Sequence, residues 1–419
     1  MKCKRFMSDP GKTVIQRAKI ILEENLPDSD SPLLVALSGG SDSISLAKIL
    51  IDLKSYHGRK IYAYHLDHQL RPESSRHDAD FVEKWCHKNS LELKIERAVD
   101  LEGIRREKNY SLEEAAREYR YARLVTEARR IDASAILTGH TLDDNVETFL
   151  LRIATGASLK ALCGIPICST YDGIPVIRPL INCLKEELRE YLKSQSETWV
   201  EDETNLVPDT LRNKVRLQVL PQFSKILSKD VTEPIARTIF NLKRDSDLLD
   251  MLLEENISAE AIWKPFKTHW KFGYIMENHE LADMHSAERY RMILWALNRL
   301  NLPLKRRNSG IFFLADDFIN LNGGKRSHHI GNGIYIARSG PVFICAKTKE
   351  ETPNAEFNPI STKAVKYIME NKKMNESKIE ANIQKPGKYS LGDYEITVEK
   401  IDRTEINSSE SENRNCSIE

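Results

Sequence analysis

Several common features are missing from this chain, and each absence narrows what it can be. There is no net charge: 62 Lys and Arg residues are balanced by 62 Asp and Glu. A nucleic-acid partner therefore has to be argued from local basic patches rather than from the overall balance. No apolar run approaches the roughly 20 residues of a membrane helix, and the basic start Met1-Lys2-Cys3-Lys4-Arg5-Phe6-Met7 is not followed by an export-signal core. No membrane role and a cytoplasmic location are expected. The seven cysteines (Cys3, Cys86, Cys163, Cys168, Cys183, Cys345 and Cys416) include no Cys-x-x-Cys pair. That pattern reads as scattered reduced thiols rather than a disulfide framework or a cluster ligand set. Internal repeats and metal-ligand spacings are absent too. At 41% hydrophobic residues over 419 positions, the composition is that of a soluble globular protein with two or three domains.

What is present starts with Leu33-Leu34-Val35-Ala36-Leu37 running into Ser38-Gly39-Gly40-Ser41-Asp42-Ser43. An apolar strand that ends in two glycines and small hydroxyl residues is a phosphate cradle. Glycine lets backbone N–H groups approach an anion with no side chain between. The helix expected from Ser43 would point its positive end at the same place. No Gly-Lys-Ser/Thr follows, so this is not the Walker loop. Asp42 would repel phosphate unless it holds Mg²⁺ or orients the loop, which makes it the candidate metal residue.

Strand and helix signals alternate over the first 150 residues: strands at 33–37, 61–66, 93–98 and 135–137, helices at 12–25, 43–54, 77–89, 111–130 and 143–154. Ser111-Leu112-Glu113-Glu114 has capping-box form. The alternation predicts an α/β fold with a doubly wound, Rossmann-like parallel sheet, whose ligands sit at the carboxyl ends of the strands. From 217 to about 300 the spacing is helical, with few strand signals. From 309 short strands are expected at Ile311–Leu314, Gly333–Ile336 and Val342–Cys345, then a polar linker at 347–358 and a hairpin at 386–398. The expected division is 1–216 for a catalytic domain, 217–308 for a helical substrate-binding domain, 309–401 for a small β-rich region, and 402–419 for a disordered tail.

The second constellation is Gly139-His140-Thr141-Leu142-Asp143-Asp144-Asn145-Val146-Glu147-Thr148. His140, Asp144 and Glu147 are spaced to share one helical stripe at the ligand edge of the sheet. Such a stripe can hold Mg²⁺ or handle a proton; it can equally be a solvated face with a capping Asp. The third is His65-Leu66-Asp67-His68-Gln69-Leu70-Arg71 at the end of the second strand.

Together these motifs resemble the tRNA(Ile)-lysidine synthetases of the PP-loop, or N-type ATP pyrophosphatase, superfamily. Further pieces agree. Glu114-Ala115-Ala116-Arg117-Glu118-Tyr119-Arg120-Tyr121 lies on the fourth helix, and Trp199-Val200-Glu201-Asp202-Glu203-Thr204-Asn205 is followed by Arg212-Asn213-Lys214-Val215-Arg216. The resemblance is strong over residues 30–222 and later extends only to order and texture. It implies ATP and Mg²⁺ as cofactors, and tRNA(Ile) with a CAU anticodon and free L-lysine as partners. The reaction it implies adenylates the wobble cytidine, releases pyrophosphate and lets the lysine amine displace AMP, giving lysidine. It places Asp42, His140 and Asp144 in catalysis; Ser38 to Ser43, Leu66 and Arg120 at ATP; and Glu147, Trp199, Arg212 and Arg216 at lysine or tRNA. Taken singly, His65 reads as structural, Arg117 as an ion-pair partner, and Trp199 equally as core or as a substrate contact. The clusters Lys305-Arg306-Arg307 and Lys325-Arg326 are candidate RNA-backbone contacts. A PP-loop tRNA thiolase that shares the adenylation step stays open as the alternative, and so does the oligomeric state, a homodimer included.

Overall fold

The computed structural model describes residues 13–67, 72–98, 101–108, 110–201, 207–256, 263–267, 271–302, 309–320, 325–331, 333–348, 387–391 and 394–398. The chain divides into two compact units, Met1–Ala154 with Leu159–Arg244, and Thr155–Ser158 with Asp245–Glu419.

The first unit holds strands β1 (Leu33–Ala36), β2 (Ile61–Asp67), β3 (Glu92–Arg97), β4 (Ala135–Leu137), β5 (Cys168–Tyr171) and β6 (Ile174–Ile177). Its helices are α1 (Val14–Asn25), α2 (Ser41–Asp52), α3 (Lys54–His57), α4 (Pro72–Lys88), α5 (Leu101–Lys108), α6 (Leu112–Arg130), α7 (Leu142–Ala154), α8 (Leu159–Leu162) and α9 (Lys185–Ser194). They are followed by α10 (Leu211–Lys214), a π-helical turn at Val215–Val219, α11 (Leu220–Leu227) and α12 (Thr232–Asn256), within which the division between the units falls. The strand order is β3-β2-β1-β4-β6-β5. All neighbours run parallel except β5, which closes a hairpin against β6.

Burial explains why β1 reads as a continuous apolar run. Leu33 and Val35 pack with Ile44, Leu46 and Val82 on one face. Leu34 packs with Tyr64, Leu124 and Ile136 on the other. A strand covered on both faces needs apolar residues at every position. The chain leaves β1 towards β2 on one side, and β4 lies on the other. The order therefore reverses between β1 and β4, which opens a crevice at their carboxyl ends. Both polar turns of the sequence, at 38–43 and 139–144, flank that crevice.

The second unit is a five-stranded antiparallel sheet of β7 (Lys264–Lys267), β8 (Lys271–Glu277), β9 (Lys325–Gly331), β10 (Ile334–Ser339) and β11 (Val342–Thr348), ordered β7-β8-β11-β10-β9. Helices Asn278–Asp283, Ser286–Arg299 and Ser309–Ile319 accompany it, and β12 (Gly387–Leu391) pairs antiparallel with β13 (Tyr394–Val398) as the expected hairpin.

Two local expectations fail here. Ile311–Leu314 is helical, inside Ser309–Ile319. Its buried set Ile311, Phe312, Ala315, Phe318 and Ile319 has helical spacing, while Phe313 stands 69% exposed. A four-residue apolar window is too short to separate the two periods. The segment 217–308, read as a helical domain with few strand signals, also contains β7 and β8. Pro265 and the flanking lysines hid β7, which is an edge strand, where proline is tolerated. Residues 349–386 with most of the linker, Lys305–Arg307, His68–Arg71 and the 402–419 tail lie outside the described residues.

Candidate active site

The glycine loop is braced from within. Ser43 Oγ accepts the backbone N–H groups of Ser38 and Gly39, each at 3.1 Å, and donates to the Gly40 carbonyl at 3.0 Å. Gly39 has φ +94°, and a Cβ there would meet a Val82 methyl at 3.1 Å. Backbone conformation and space both call for glycine at that position. Gly40 caps α2 with no side-chain hydrogen bond. The first-turn amides of α2 are thus left for an external acceptor, the usual anion seat of a helix N-terminus. The segment 199–201 lies on the same loop, where Val200 N–H donates to the Gly39 carbonyl at 3.0 Å.

The second turn approaches the first at van der Waals distance. A Cβ on Gly139 would sit 3.0 Å from the Asp42 carbonyl oxygen and 3.2 Å from Ser43 N. Glycine here is a condition for the two motifs meeting. The expected stripe holds only in part. Helix α7 starts at Leu142, so His140 lies in the turn ahead of it, and Asp144 and Glu147 share its face. Thr141 starts the helix: its N–H and Oγ1 donate to Asp144 Oδ2 at 2.8 and 2.9 Å, and Asp144 N–H returns to Thr141 Oγ1 at 3.4 Å. This is a capping box closed by Asp144. One carboxylate oxygen of Asp144 therefore serves the helix while the other faces the crevice, so the capping and site readings of this residue both apply.

That outward oxygen, Asp144 Oδ1, lies 3.2 Å from Lys185 Nζ, 3.5 Å from an Arg212 nitrogen and 3.7 Å from an Arg216 nitrogen. Lys185 Nζ also stands 3.7 Å from Asp42 Oδ2. One ammonium thus links the carboxylates of the two motifs. Glu147, 1% exposed, is gripped by both arginines: Arg212 Nε to Oε2 at 2.8 Å and Arg216 Nε to Oε1 at 2.6 Å. In this structure the two guanidiniums hold a buried carboxylate. The π-helical turn begins at Val215, directly before Arg216.

Burial dominates the titration of this site. It pushes the Asp42 carboxyl up to about 6; Lys185 opposes the shift and Asp144 adds to it. A carboxyl raised in the folded state stabilises the fold fully below its unfolded value of 3.8, and the contribution is lost as pH rises through about 6. The melting temperature of the metal-free wild type, relative to Asp42→Asn, is expected to fall between pH 5 and pH 7. A difference that stays constant with pH would contradict the assignment. Burial also lowers His140, with Arg178, Arg117 and Arg120 adding and Asp144 opposing, so the imidazole is neutral near pH 7. Thr138 Oγ1 holds its Nδ1 at 2.9 Å. For Asp144 burial alone would raise the pKa, but the Lys185 ammonium and the Arg212 guanidinium outweigh it and hold the carboxylate ionised.

The remaining candidates spread out. His65 is buried, with Nδ1 2.9 Å from the Leu37 carbonyl, and Leu66 is half-buried at the end of β2. Trp199 packs against the main core and donates its indole N–H to Glu201 at 2.7 Å. Arg117 and Arg120 lie over the Tyr121 ring, 5.0 and 5.8 Å from its centroid. A cavity of about 60 Å³ lies nearby, but α7 lines it with Leu142 and Asn145, and none of Asp42, His140, Asp144 or Glu147 reaches it. Lys185 and Arg178 went unread in the sequence. Lys185 carried one usable sign: it is the first residue of α9, and a cation at a helix N-terminus opposes the dipole. Arg178, 3% exposed, follows β6 at the sheet's ligand edge.

An open parallel sheet, a glycine turn feeding an uncapped helix N-terminus and an acidic pair at the switch point together define a nucleotide-binding α/β protein. The PP-loop domain model matches residues 11–223. The tRNA(Ile)-lysidine synthase of Clostridioides difficile is 31% identical over 80% of this chain and 71% of its own length. That of Symbiobacterium thermophilum is 34% identical over 58% of this chain and 50% of its own. The chain belongs to the tRNA(Ile)-lysidine synthase family of PP-loop proteins. It spans 50% and 60% of the length of two of these curated relatives, from S. thermophilum and Dehalococcoides mccartyi. Among solved structures, the U34-tRNA thiolase NcsA from Methanococcus maripaludis with its [4Fe-4S] cluster aligns at a TM-score of 0.43 and 16% identity, over 55% of this chain and 78% of that one.

Proposed function

We propose that this protein ligates free L-lysine to the wobble cytidine of the CAU anticodon of tRNA(Ile), consuming ATP and releasing AMP and pyrophosphate. One observation carries the reading. At the switch crevice, the phosphate-loop carboxylate Asp42 and the crevice-facing oxygen of Asp144 stand on either side of one ammonium, in a chain whose relatives bear the lysidine synthase name.

In this reading Ser38 to Ser43 and the first amides of α2 take the triphosphate, Leu66 lies at the nucleoside, and Arg120 meets phosphate. The carbonyl oxygen of the cytosine base attacks the α-phosphorus, and pyrophosphate leaves with the electron pair of the broken bond. The lysine ammonium first gives one proton to solvent; its neutral amine then attacks the activated ring carbon, the carbon–oxygen bond breaks with its electron pair leaving on AMP, and a second proton passes from the nitrogen to solvent. Asp144 holds the incoming ammonium, and neutral His140 can accept a hydrogen bond without repelling it. Glu147, both of its oxygens engaged, acts through Arg212 and Arg216, which it presents towards substrate. Trp199 fits the core better than a substrate contact.

Mg²⁺ binds through one or two carboxylates plus phosphate oxygens rather than in an all-protein cage. Asp42 beside an anion seat fits that pattern, and among the described residues no cluster of three acidic, His or Cys side chains offers a cage. Asp42 would hold the ion, which would supply charge neutralisation at the departing phosphates. We assign catalysis to residues 1–216 and RNA contact to 217–308 and 309–401, with Arg326, exposed on edge strand β9, as one backbone contact. No helix among the described residues is long and apolar enough to cross a membrane; we place the protein in the cytoplasm.

The test is incubation with ATP, radiolabelled lysine and candidate tRNAs. Label is expected on tRNA(Ile) with a CAU anticodon and on no other. Sulfur transfer in place of lysine would instead establish the thiolase reading, in which cysteines must work at the site; Cys86, Cys183 and Cys345 are buried.

A further inference from the structure

Lysine is an odd first residue for a helix. Lys185 opens α9 ahead of Glu186 and Glu187, which suit the positive end of a helix dipole as Lys185 does not. Its backbone N–H is fixed on Asp143 Oδ2 at 2.8 Å, so the start of α9 is tied to the His140–Glu147 motif. The side chain reaches into the crevice, 22% exposed, with Nζ near Asp144 Oδ1 and Asp42 Oδ2.

Three neighbouring cations are already tied to protein groups. Arg212 and Arg216 hold Glu147 through contacts of 2.6 to 3.1 Å. Arg178 is spent on the Pro166 carbonyl at 2.8 Å and Ser169 Oγ at 3.1 Å. Lys185 is held more loosely, at 3.2 and 3.7 Å. An ammonium carries three protons, and the hydrogen bond to Asp144 uses one of them. Its flexible stem and compact charge suit phosphate, which lysine binds as a point charge. Asp42 lies in the first turn of α2, whose cap leaves its amides without a side-chain acceptor, so Nζ stands beside the anion seat.

We propose that Lys185 is the lysine the glycine loop lacks in sequence: supplied from α9, its ammonium binds the two terminal phosphates of ATP and holds them as pyrophosphate departs. The proposal rests on the ATP-consuming function above. As the cytidine oxygen bonds to the α-phosphorus, the bond to the bridging oxygen breaks and its electron pair stays with pyrophosphate. Lys185 keeps its protons throughout and offsets the charge that grows on the leaving group. With no nucleotide bound, the same ammonium separates two carboxylates that would otherwise repel each other.

The experiment measures binding of inorganic pyrophosphate, ATP and AMP to the full chain by isothermal titration. The proteins are wild type, Lys185→Met, Lys185→Gln and Lys185→Arg, with melting temperature as the fold control. The expected result is roughly a tenfold or greater loss of pyrophosphate and ATP affinity in Lys185→Met, with AMP within about twofold of wild type and Lys185→Arg recovering most of the loss. If the Met variant melts early, the Gln variant carries the same comparison. Equal losses for AMP and pyrophosphate would make Lys185 a carboxylate spacer only and overturn the proposal, as would undiminished pyrophosphate binding. Wild type that binds neither ATP nor pyrophosphate would sink the ATP-consuming function itself, a result distinct from either of these.

Discussion

Glu147→Ala is expected to lower stability by about 3 kcal/mol, the low end for removing one partner of a buried ion pair. The carboxylate is 1% exposed and neutralises two guanidiniums whose side chains are about a quarter exposed. Its removal leaves two partly buried positive charges facing each other. Water at the rim screens part of that repulsion, so the low end applies. In a unit of this size the melting temperature should drop by roughly 6–10 °C, with lysine incorporation lost as well. Thermal denaturation checks it: a melting temperature within about a degree of wild type would show that the arginines do not depend on Glu147.

Asp42→Ala should have the opposite effect on stability. Lysine incorporation is expected to fall by about 10³-fold or more, because a charge aimed at the reacting phosphates is removed. The fold should stay intact and at neutral pH become slightly more stable. Asp42 is a carboxylate forced to ionise against burial and against Asp144, so its removal relieves repulsion. A residue whose loss helps the fold and destroys the chemistry is one held at a cost to stability. Initial rates of lysine incorporation with a parallel melting curve check it. Retained incorporation, or a variant that fails to fold, would refute this role.

Much of this was legible in the sequence because it is local. The run Leu33–Leu37 with its glycines, the capping box at Ser111 and the alternation up to Ala154 all express short-range rules. The second motif was half legible. Spacing placed Asp144 and Glu147 together, but Thr141 capping moved His140 off the helix. Long-range geometry stayed hidden. Nothing near Arg212 or Arg216 announces a carboxylate more than sixty positions earlier, and Lys185 joins Asp42 and Asp144 only once β6 pairs with β4 and α9 packs against α2. The second unit was less legible because its strands are broken up by proline, lysine and short apolar windows. The pairing of β8 with β11 and with β7 reveals that Lys271–Glu277 is sheet.

The central claim is that the crevice activates an RNA base with AMP before any amine arrives. The direct measurement is incubation of the full chain with ATP labelled at the α-phosphate and tRNA(Ile), with lysine withheld. Label bound to the tRNA with equimolar pyrophosphate, discharged as AMP when lysine is added, is the predicted result. Pyrophosphate release that ignores tRNA, or label that passes to lysine instead of the tRNA, would contradict it.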